Sequence, residues 1–495
     1  MSYILTLDQG TTASRSLIVN AKGEVVAMAQ QEFTQHFPRQ GWVEHDPDEI
    51  WSTQRDTMQQ VIRESGIHPS EIKAIGITNQ RETTVAWNRT TGKAIGNAIV
   101  WQDKRTAPMC EQLKLRGLGE YVRTTTGLVI DAYFSATKMH YILRNYPEAE
   151  KLLRTNELCF GTVDSWLMYK LTENRVHATD TTNASRTMLF DIRNLKWDDR
   201  LLNELDIHPS TLPEVKSSIG FFGNARIDGA NVPIMGVAGD QQAALFGQLC
   251  FEAGMVKNTY GTGCFMLMNT GRELRESHHG LLTTVAWSDA HSTTYALEGS
   301  VFIAGAAIQW LRDGLKIIDH ATDSEYFARK AQNEEPVYVV PAFSGLGAPY
   351  WDMYARGAVF GLTRDTGKDE LIRATLESMA YQTRDVIEAM AVDAGTGIHS
   401  LRVDGGASAN DYLMQFQADI IEREVIRPAN VESTAMGAAY LAGMAAGVWT
   451  RADLLRIHAN ATTFRPKMEG KTVSKLYHGW KKAVQRSMHW LDDEP

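Results

Sequence analysis

The chain opens with a short apolar run, Tyr3-Ile4-Leu5-Thr6-Leu7, that ends in Asp8-Gln9-Gly10-Thr11-Thr12, with Arg15 close behind. A strand that stops at a carboxylate, a glycine and two hydroxyls presents an acidic metal anchor, open backbone N–H groups and a cation to a polyphosphate. Any β-turn can read Asp-x-Gly-Thr, so one such turn constrains little. Two further segments share the character. Asn258-Thr259-Tyr260-Gly261-Thr262-Gly263 is the second, and Val403-Asp404-Gly405-Gly406-Ala407-Ser408-Ala409-Asn410, opening a helix, is the third. Glycine-hydroxyl turns in both halves of the chain point to two lobes closing on one nucleotide.

The length of 495 residues agrees with two domains of about 250 residues, because single cores seldom grow further. The division is expected near the middle, giving units 1–248 and 249–495. With 50 basic and 59 acidic side chains the formal charge is −9, and no Lys/Arg run resembles a phosphate-tracking patch, which argues against nucleic-acid binding. The four cysteines, Cys110, Cys159, Cys250 and Cys264, form no CxxC pair and suit a reducing compartment. Met1-Ser2-Tyr3 leads straight into a strand with no basic, then apolar, leader, so a cytoplasmic location is expected. The uncharged stretch Ser433 to Thr450 is rich in alanine and carries Gly437, Gly443 and Gly447. It reads as a buried, closely packed helix, since a membrane span needs about 20 more strongly apolar residues.

Strand patterns are expected at Tyr3–Leu7, Ser14–Val19, Glu24–Gln31, Lys73–Thr78, Thr83–Trp87 and Ile234–Ala238. Helices are expected at Pro47–Glu64 (with Asp46 as N-cap), Lys104–Leu115 and Ala136–Asn145. The pattern restarts after Gly254, with strands at Met255–Tyr260, Thr294–Leu297, Val337–Val340 and Leu401–Val403. Long helices at Lys368–Ala391 and Asn410–Ile421 follow the same grammar, which is that of α/β layers.

Phosphoryl transfer asks little covalent chemistry of a protein; it needs metal charge, donors on the phosphates and an aligned attacking oxygen. Asp8 offers a Mg²⁺ anchor through water, Thr11, Thr12 and the Thr262 turn offer anion-binding donors, and Arg15 offers a cation. The chain lacks the G-x-x-x-x-G-K-[ST] loop and the G-x-G-x-x-G strand–helix unit. Asp404-Gly405-Gly406 reads as backbone passing close to a nucleobase or ribose, or equally as a glycine turn capping the helix at Asn410. Asp240, in Gly239-Asp240-Gln241-Gln242, sits between a strand and an Ala-rich helix. That is a position for a catalytic base in an open α/β sheet, or for a plain N-cap. Arg81 and Glu82, between two strands, form either a clamp for a polyol or a solvated surface pair. Trp101 and Tyr133 read as pocket walls or as core, and His278-His279 has no partner spacing for a transition metal.

Taken together, these segments resemble the FGGY family of carbohydrate kinases and, within it, the glycerol kinases. The resemblance is carried by Leu7-Asp8-Gln9-Gly10-Thr11-Thr12-Ala13-Ser14-Arg15, Thr78-Asn79-Gln80-Arg81-Glu82-Thr83 and Val100-Trp101-Gln102-Asp103. It continues through Ala238-Gly239-Asp240-Gln241-Gln242-Ala243-Ala244-Leu245-Phe246-Gly247, Asn258-Thr259-Tyr260-Gly261-Thr262-Gly263-Cys264-Phe265, Phe343-Ser344-Gly345-Leu346-Gly347-Ala348-Pro349-Tyr350-Trp351 and Val403-Asp404-Gly405-Gly406. The resemblance implies an α/β fold of two ribonuclease-H-like (actin-like ATPase) lobes with a catalytic cleft between them. It implies ATP and Mg²⁺, with Asp8 assisting the metal, and glycerol as acceptor. By the same resemblance Arg81, Glu82, Trp101, Tyr133, Asp240, Gln241 and Phe265 form the acceptor pocket. Thr11, Thr12, Ala13, Arg15, Thr262, Gly305, Gln309, Gly406 and Asn410 meet the nucleotide, and Asp240 with Arg15 is catalytic. A homodimer or homotetramer is implied as well.

The chain also departs from the family. The segment Arg226-Ile227-Asp228-Gly229-Ala230-Asn231-Val232 has Asn231 where some relatives carry an arginine for fructose 1,6-bisphosphate, and no histidine lies between His208 and His278 for phosphorylation. Two rival readings are a kinase for another polyol or for a ketose such as xylulose, and an actin-like or chaperone-type ATPase.

Overall fold

The computed structural model describes residues 2–173, 175–332, 335–429, 432–457 and 460–491. In the first half, β1 (Tyr3–Gln9), β2 (Ala13–Asn20) and β3 (Val25–Glu32) form an antiparallel meander, followed by α1 (Pro47–Ser65). Asp46 caps α1 by accepting from the Asp48 N–H, Pro47 takes the first position, and Gly66 closes the helix in the left-handed conformation. The remaining strands are β4 (Ile72–Asn79), β5 (Ile219–Ile227) and β6 (Ala230–Gly239), and β6 runs directly into α2 (Asp240–Gly247). The six-stranded sheet has the order β5-β6-β4-β1-β2-β3, with β1, β4 and β6 parallel.

The second half contributes β7 (Val256–Tyr260), β8 (Cys264–Gly271), β9 (Leu282–Ser288), β10 (Thr293–Val301), the long α3 (Lys368–Ala394) and β11 (Ser400–Asp404). It ends with α4 (Asp411–Ile421), β12 (Glu424–Pro428), α5 (Ser433–Ala445) and β13 (Ala461–Phe464). Its seven-stranded sheet runs β9-β10-β8-β7-β11-β12-β13, with β7, β11 and β12 parallel. Five strands of each sheet share one plan: a first strand, an antiparallel hairpin partner beyond which a third strand follows, and two parallel strands on the other side. The expected strands and helices all appear, most of them shifted by one to three residues. The strand expected at Thr83–Trp87 begins two residues later, at Val85, because the chain bends at Arg81 and Glu82 and Thr84 makes only an isolated bridge to Ile99.

Helix α5 is the buried, close-packed element that its alanines and glycines suggest. Although it belongs to the second half, it lies on the first sheet, and Ala435, Tyr440 and Leu441 share one apolar cluster with Ile4, Leu17, Ala74 and Ala238. A Cβ on Gly76 of β4 would fall 2.2 Å from the Ala438 carbonyl oxygen, and one on Gly437 would fall 1.8 Å from that of Ala243. Small residues are therefore what lets α5 approach both β4 and α2. The two halves are joined by packed core rather than by a tether. Among the described residues no helix is long and apolar enough to cross a membrane.

Candidate active site

Strands β1, β4 and β6 are parallel neighbours in register, with Gln9 beside Asn79 and Asn79 beside Gly239. Their carboxyl ends therefore coincide, which is where open α/β sheets bind ligands. The residues just past each end, Gly10 to Thr12, Gln80 to Glu82 and Asp240 to Gln241, gather at one edge. In the second sheet Tyr260 and Asp404 end β7 and β11 in the same way, and β10 ends at Val301, shortly before Gly305.

Two cavities meet at this edge. The smaller, of ≈ 210 Å³, is lined by Thr11, Arg81, Glu82, Trp101, Tyr133, Asp240, Gln241, Thr259, Gly261 and Phe265. The larger, of ≈ 360 Å³, is lined by Gly261, Thr262, Gly305, Gln309, Gly406, Ala407, Asn410 and further residues of the second half. Gly261 borders both, so the hairpin turn between β7 and β8 separates a small polar chamber from a larger, mainly apolar one.

All seven residues expected in the acceptor pocket line the small cavity. Trp101 stands edge-on to Tyr133 and Phe265, with ring centroids 5.6 and 6.5 Å away, and its indole N–H donates to Thr11 Oγ1 at 3.1 Å. The Tyr133 backbone is held from behind by the buried Lys138, which donates to the Tyr133 and Phe134 carbonyls at 2.5 and 3.1 Å. Burial holds the Lys138 ammonium down to about 7.

Arg81 and Glu82 are not a solvated pair; both are buried. Glu82 adopts a left-handed backbone, φ 60°, which turns its side chain inward. The guanidinium of Arg81 donates Nη1 and Nη2 to the carboxylate of Glu298 on β10 at 2.6 and 2.8 Å, leaving Nε 3.3 Å from Asp240 Oδ1. Arg186 closes the ring, with Nε 2.6 Å from Glu82 Oε1 and Nη2 3.2 Å from Glu298 Oε1. Burial alone raises the Glu298 carboxyl, but Arg186 and Arg81 outweigh it and hold the group down to about 2. Asp240 is pushed up to about 6 by burial, against the pull of Arg81. At neutral pH it is a carboxylate with a higher proton affinity than a free aspartate.

Of the residues expected to meet the nucleotide, Thr262, Gly305, Gln309, Gly406 and Asn410 line the larger cavity. Gly405 has φ 84° and passes so near β7 that a Cβ would lie 2.4 Å from the Tyr260 carbonyl oxygen. Asn410 caps α4 by accepting from the Leu413 N–H at 2.9 Å. The two alternatives at this turn therefore coexist: it caps a helix and it walls the cavity. Asp8, Thr12, Ala13 and Arg15 lie on the β1–β2 hairpin beside Thr11 and are in neither lining. Asp8 pairs in register with Arg15, whose guanidinium bonds Glu432. The Asp8 carboxyl is pushed up to about 7 by burial; Arg15 opposes this, while Asp240 and Glu432 add to it.

Two family models match the chain: the N-terminal domain of the FGGY family of carbohydrate kinases over residues 3–247 and the C-terminal domain over residues 256–446. The chain belongs to the FGGY family of carbohydrate kinases. The curated glycerol kinases of Natranaerobius thermophilus and Shigella dysenteriae are 57% and 58% identical to it, each over 99% of both chains. The crystal structure of Plasmodium falciparum glycerol kinase with ADP has a TM-score of 0.93 at 36% identity, covering 98% of each chain. A xylulose kinase from Lactobacillus acidophilus, at 22% identity and TM-score 0.86 over 98% of each chain, shares the fold.

In this FGGY kinase the sequence reading missed Glu298, Arg186 and Lys257, which bond to the residues of the small cavity from behind. A signal was present: Glu298 interrupts Tyr295-Ala296-Leu297, and Lys257 sits inside the run before the second glycine turn. A charge within a strand pattern is rarely buried unless paired. Only the fold shows that the partners come from the other half of the chain.

Proposed function

We propose that this chain transfers the γ-phosphoryl group of ATP to a terminal hydroxyl of glycerol, giving sn-glycerol 3-phosphate and ADP. The observation that carries this reading is the shared wall. A small cavity lined by carboxylates, an arginine and aromatic faces opens, across the Gly261 turn, onto a larger cavity walled by glycines and Asn410. The close relationship to curated glycerol kinases supports the choice of acceptor.

In this reading Asp240 accepts the proton of the attacking hydroxyl, and Glu82 accepts hydrogen bonds from the other hydroxyls while Arg81 presents Nε. Trp101 and Phe265 cover the carbon chain. Thr11 and Thr262, with the backbone N–H groups of their turns, meet the phosphates, and Arg15 supplies positive charge. Tyr133 and Gln241 complete the polar wall. Closing the cavity excludes water, which otherwise competes as acceptor.

The hairpin also suits a Mg²⁺ ion. Burial, with Asp240 and Glu432 nearby, raises the proton affinity of Asp8 against the pull of Arg15, and a dication would compensate its buried charge. Among the described residues no group of three or more His, Cys, Asp or Glu side chains is able to hold a metal alone, so Asp8 would share it with phosphate oxygens and water. When bound, the ion neutralises charge on the transferred phosphoryl group. In this reading unit 1–248 carries most of the acceptor pocket and part of the phosphate site, and unit 249–495 carries the adenine nucleotide site and adds Thr259, Gly261 and Phe265 to the acceptor wall. A homodimer or homotetramer and a cytoplasmic location, where ATP is supplied, accompany this reading.

The test is a coupled assay for ADP release by the purified protein with and without glycerol. Glycerol-dependent release is expected, whereas equal release without any polyol would favour a switching ATPase instead. Fructose 1,6-bisphosphate should leave the rate unchanged, because in the β5–β6 hairpin Asn231 accepts from Arg226 at 3.1 Å and brings no second arginine.

A further inference from the structure

Lys257 lies on β7, and its side chain is fully buried. The chemistry proposed above makes no use of it. Its ammonium donates to Oε1 of Gln241, to Thr259 Oγ1 at 3.0 Å and to the Phe265 carbonyl oxygen at 3.2 Å. All three acceptors belong to residues that line the small cavity. An ammonium has three protons and no lone pair, so these bonds use every donor it has. The Gln241 atom facing it must be the oxygen. A free glutamine amide can turn end for end, but this one cannot without setting two N–H donors against a buried cation. The amide nitrogen is thus turned away from Lys257 and has no protein acceptor among the described residues.

We propose that Lys257 is a positioning residue for the acceptor: it fixes the Gln241 amide so that the N–H face is offered to a hydroxyl oxygen of the polyol. The cavity then carries a neutral donor beside the acceptors Glu82 and Asp240, which suits a group that both gives and takes hydrogen bonds. Gln241 follows β6 in the first half and Lys257 lies in the second, so this donor is set only when the two halves are packed together. The inference rests on the proposed reading of the small cavity as the acceptor site.

The test is a double-mutant cycle on the full chain, with KM for glycerol and for ATP measured separately. Lys257→Met keeps the length of the stem and removes the donors. It should raise the glycerol KM about tenfold, the worth of one charge-assisted hydrogen bond, with ATP KM within about twofold. Gln241→Ala should raise it similarly, and the double variant should match Gln241→Ala within about twofold, because Lys257 acts through that amide. Fully additive effects, or an unchanged glycerol KM in Lys257→Met, would overturn the proposal. Gln241→Glu covers the case in which Lys257→Met does not fold. Its carboxylate still pairs with Lys257 but has no N–H to offer, so glycerol affinity should fall as in Gln241→Ala. Retained glycerol affinity in Gln241→Glu overturns the proposal. If Gln241→Ala itself leaves the glycerol KM unchanged, the acceptor reading of the cavity fails, and this inference falls with it.

Discussion

The two cavities on either side of the Gly261 turn are built from opposite materials. The small chamber, read above as the acceptor site, is backed by buried charge: Arg81, Arg186 and Lys257 stand against Glu82, Glu298 and Asp240, with Glu298 and Lys257 arriving from the second half. The larger chamber is walled mainly by small residues, among them Gly305, Gly406, Ala407 and Ala409 beside Gln309 and Asn410, and its charged side chains are Arg312 and Glu325. A triol offers nothing but hydroxyls, so selecting it takes fixed charges whose geometry cannot relax. A nucleotide brings its own charge and a flat ring, so it needs close approach and backbone donors. Substitutions in one chamber should therefore affect one substrate and spare the other.

The largest effect is expected in the small chamber. Asp240→Asn keeps the shape and removes the base, and kcat should fall by about 10²–10⁴ with ATP KM little changed. Steady-state kinetics with each substrate varied in turn will show this. Near-normal turnover would leave the small chamber without its chemistry.

Arg81→Ala comes next. It removes the proposed polyol contact and also strips Glu298 of its bidentate partner. Glycerol KM should rise about 10–100-fold. Leaving Glu298 buried and half-paired should cost about 3–5 kcal/mol of stability, read from denaturant unfolding. An unaltered glycerol KM would move the acceptor elsewhere.

The opposite chamber is probed by Gly405→Ala. The added Cβ would stand 2.4 Å from the Tyr260 carbonyl oxygen on a left-handed backbone, so the turn must shift. A cost of about 1–3 kcal/mol and a roughly tenfold rise in ATP KM are expected, with glycerol KM unchanged. A matching rise in glycerol KM would show that the chambers are not separable.

The smallest and most specific effect is on pH. Burial holds the Asp240 carboxyl at about 6, so its base form is lost as pH falls through that value and is fully present above it. kcat/KM for glycerol should therefore fall on the acid side with a midpoint near 6. Asp240→Asn should lack that limb, and a profile flat down to pH 4 would contradict the assignment.

Much of this was legible in the chain because strands ending in Gln9, Asn79 and Gly239 announce themselves by apolar runs that stop at polar turns. Parallel register then brings those ends together, and the residues expected around one acceptor do share one cavity. The reading was weaker where function depends on the other half of the molecule. Arg81 and Glu82 in isolation are as compatible with a wet surface as with a pocket; their burial comes from Glu298, 217 positions away, and from Arg186. The glycines of α5 suggested close packing, but a Cβ's distance from the Ala438 carbonyl is a property of the fold, and no pattern in the sequence names β4 as the partner. Likewise Lys257 reads as one more charge near a turn until its three acceptors are seen.

The account stands on a carboxylate at the start of α2 facing the acceptor hydroxyl, with the triphosphate across the Gly261 turn. A crystal structure with glycerol and a non-hydrolysable ATP analogue tests that directly. It should place a terminal hydroxyl about 2.6–3.2 Å from an Asp240 carboxylate oxygen, with the γ-phosphate on the opposite side of that hydroxyl. Glycerol bound with no hydroxyl within reach of Asp240, or a γ-phosphate lying outside the crevice between the two turns, would contradict it.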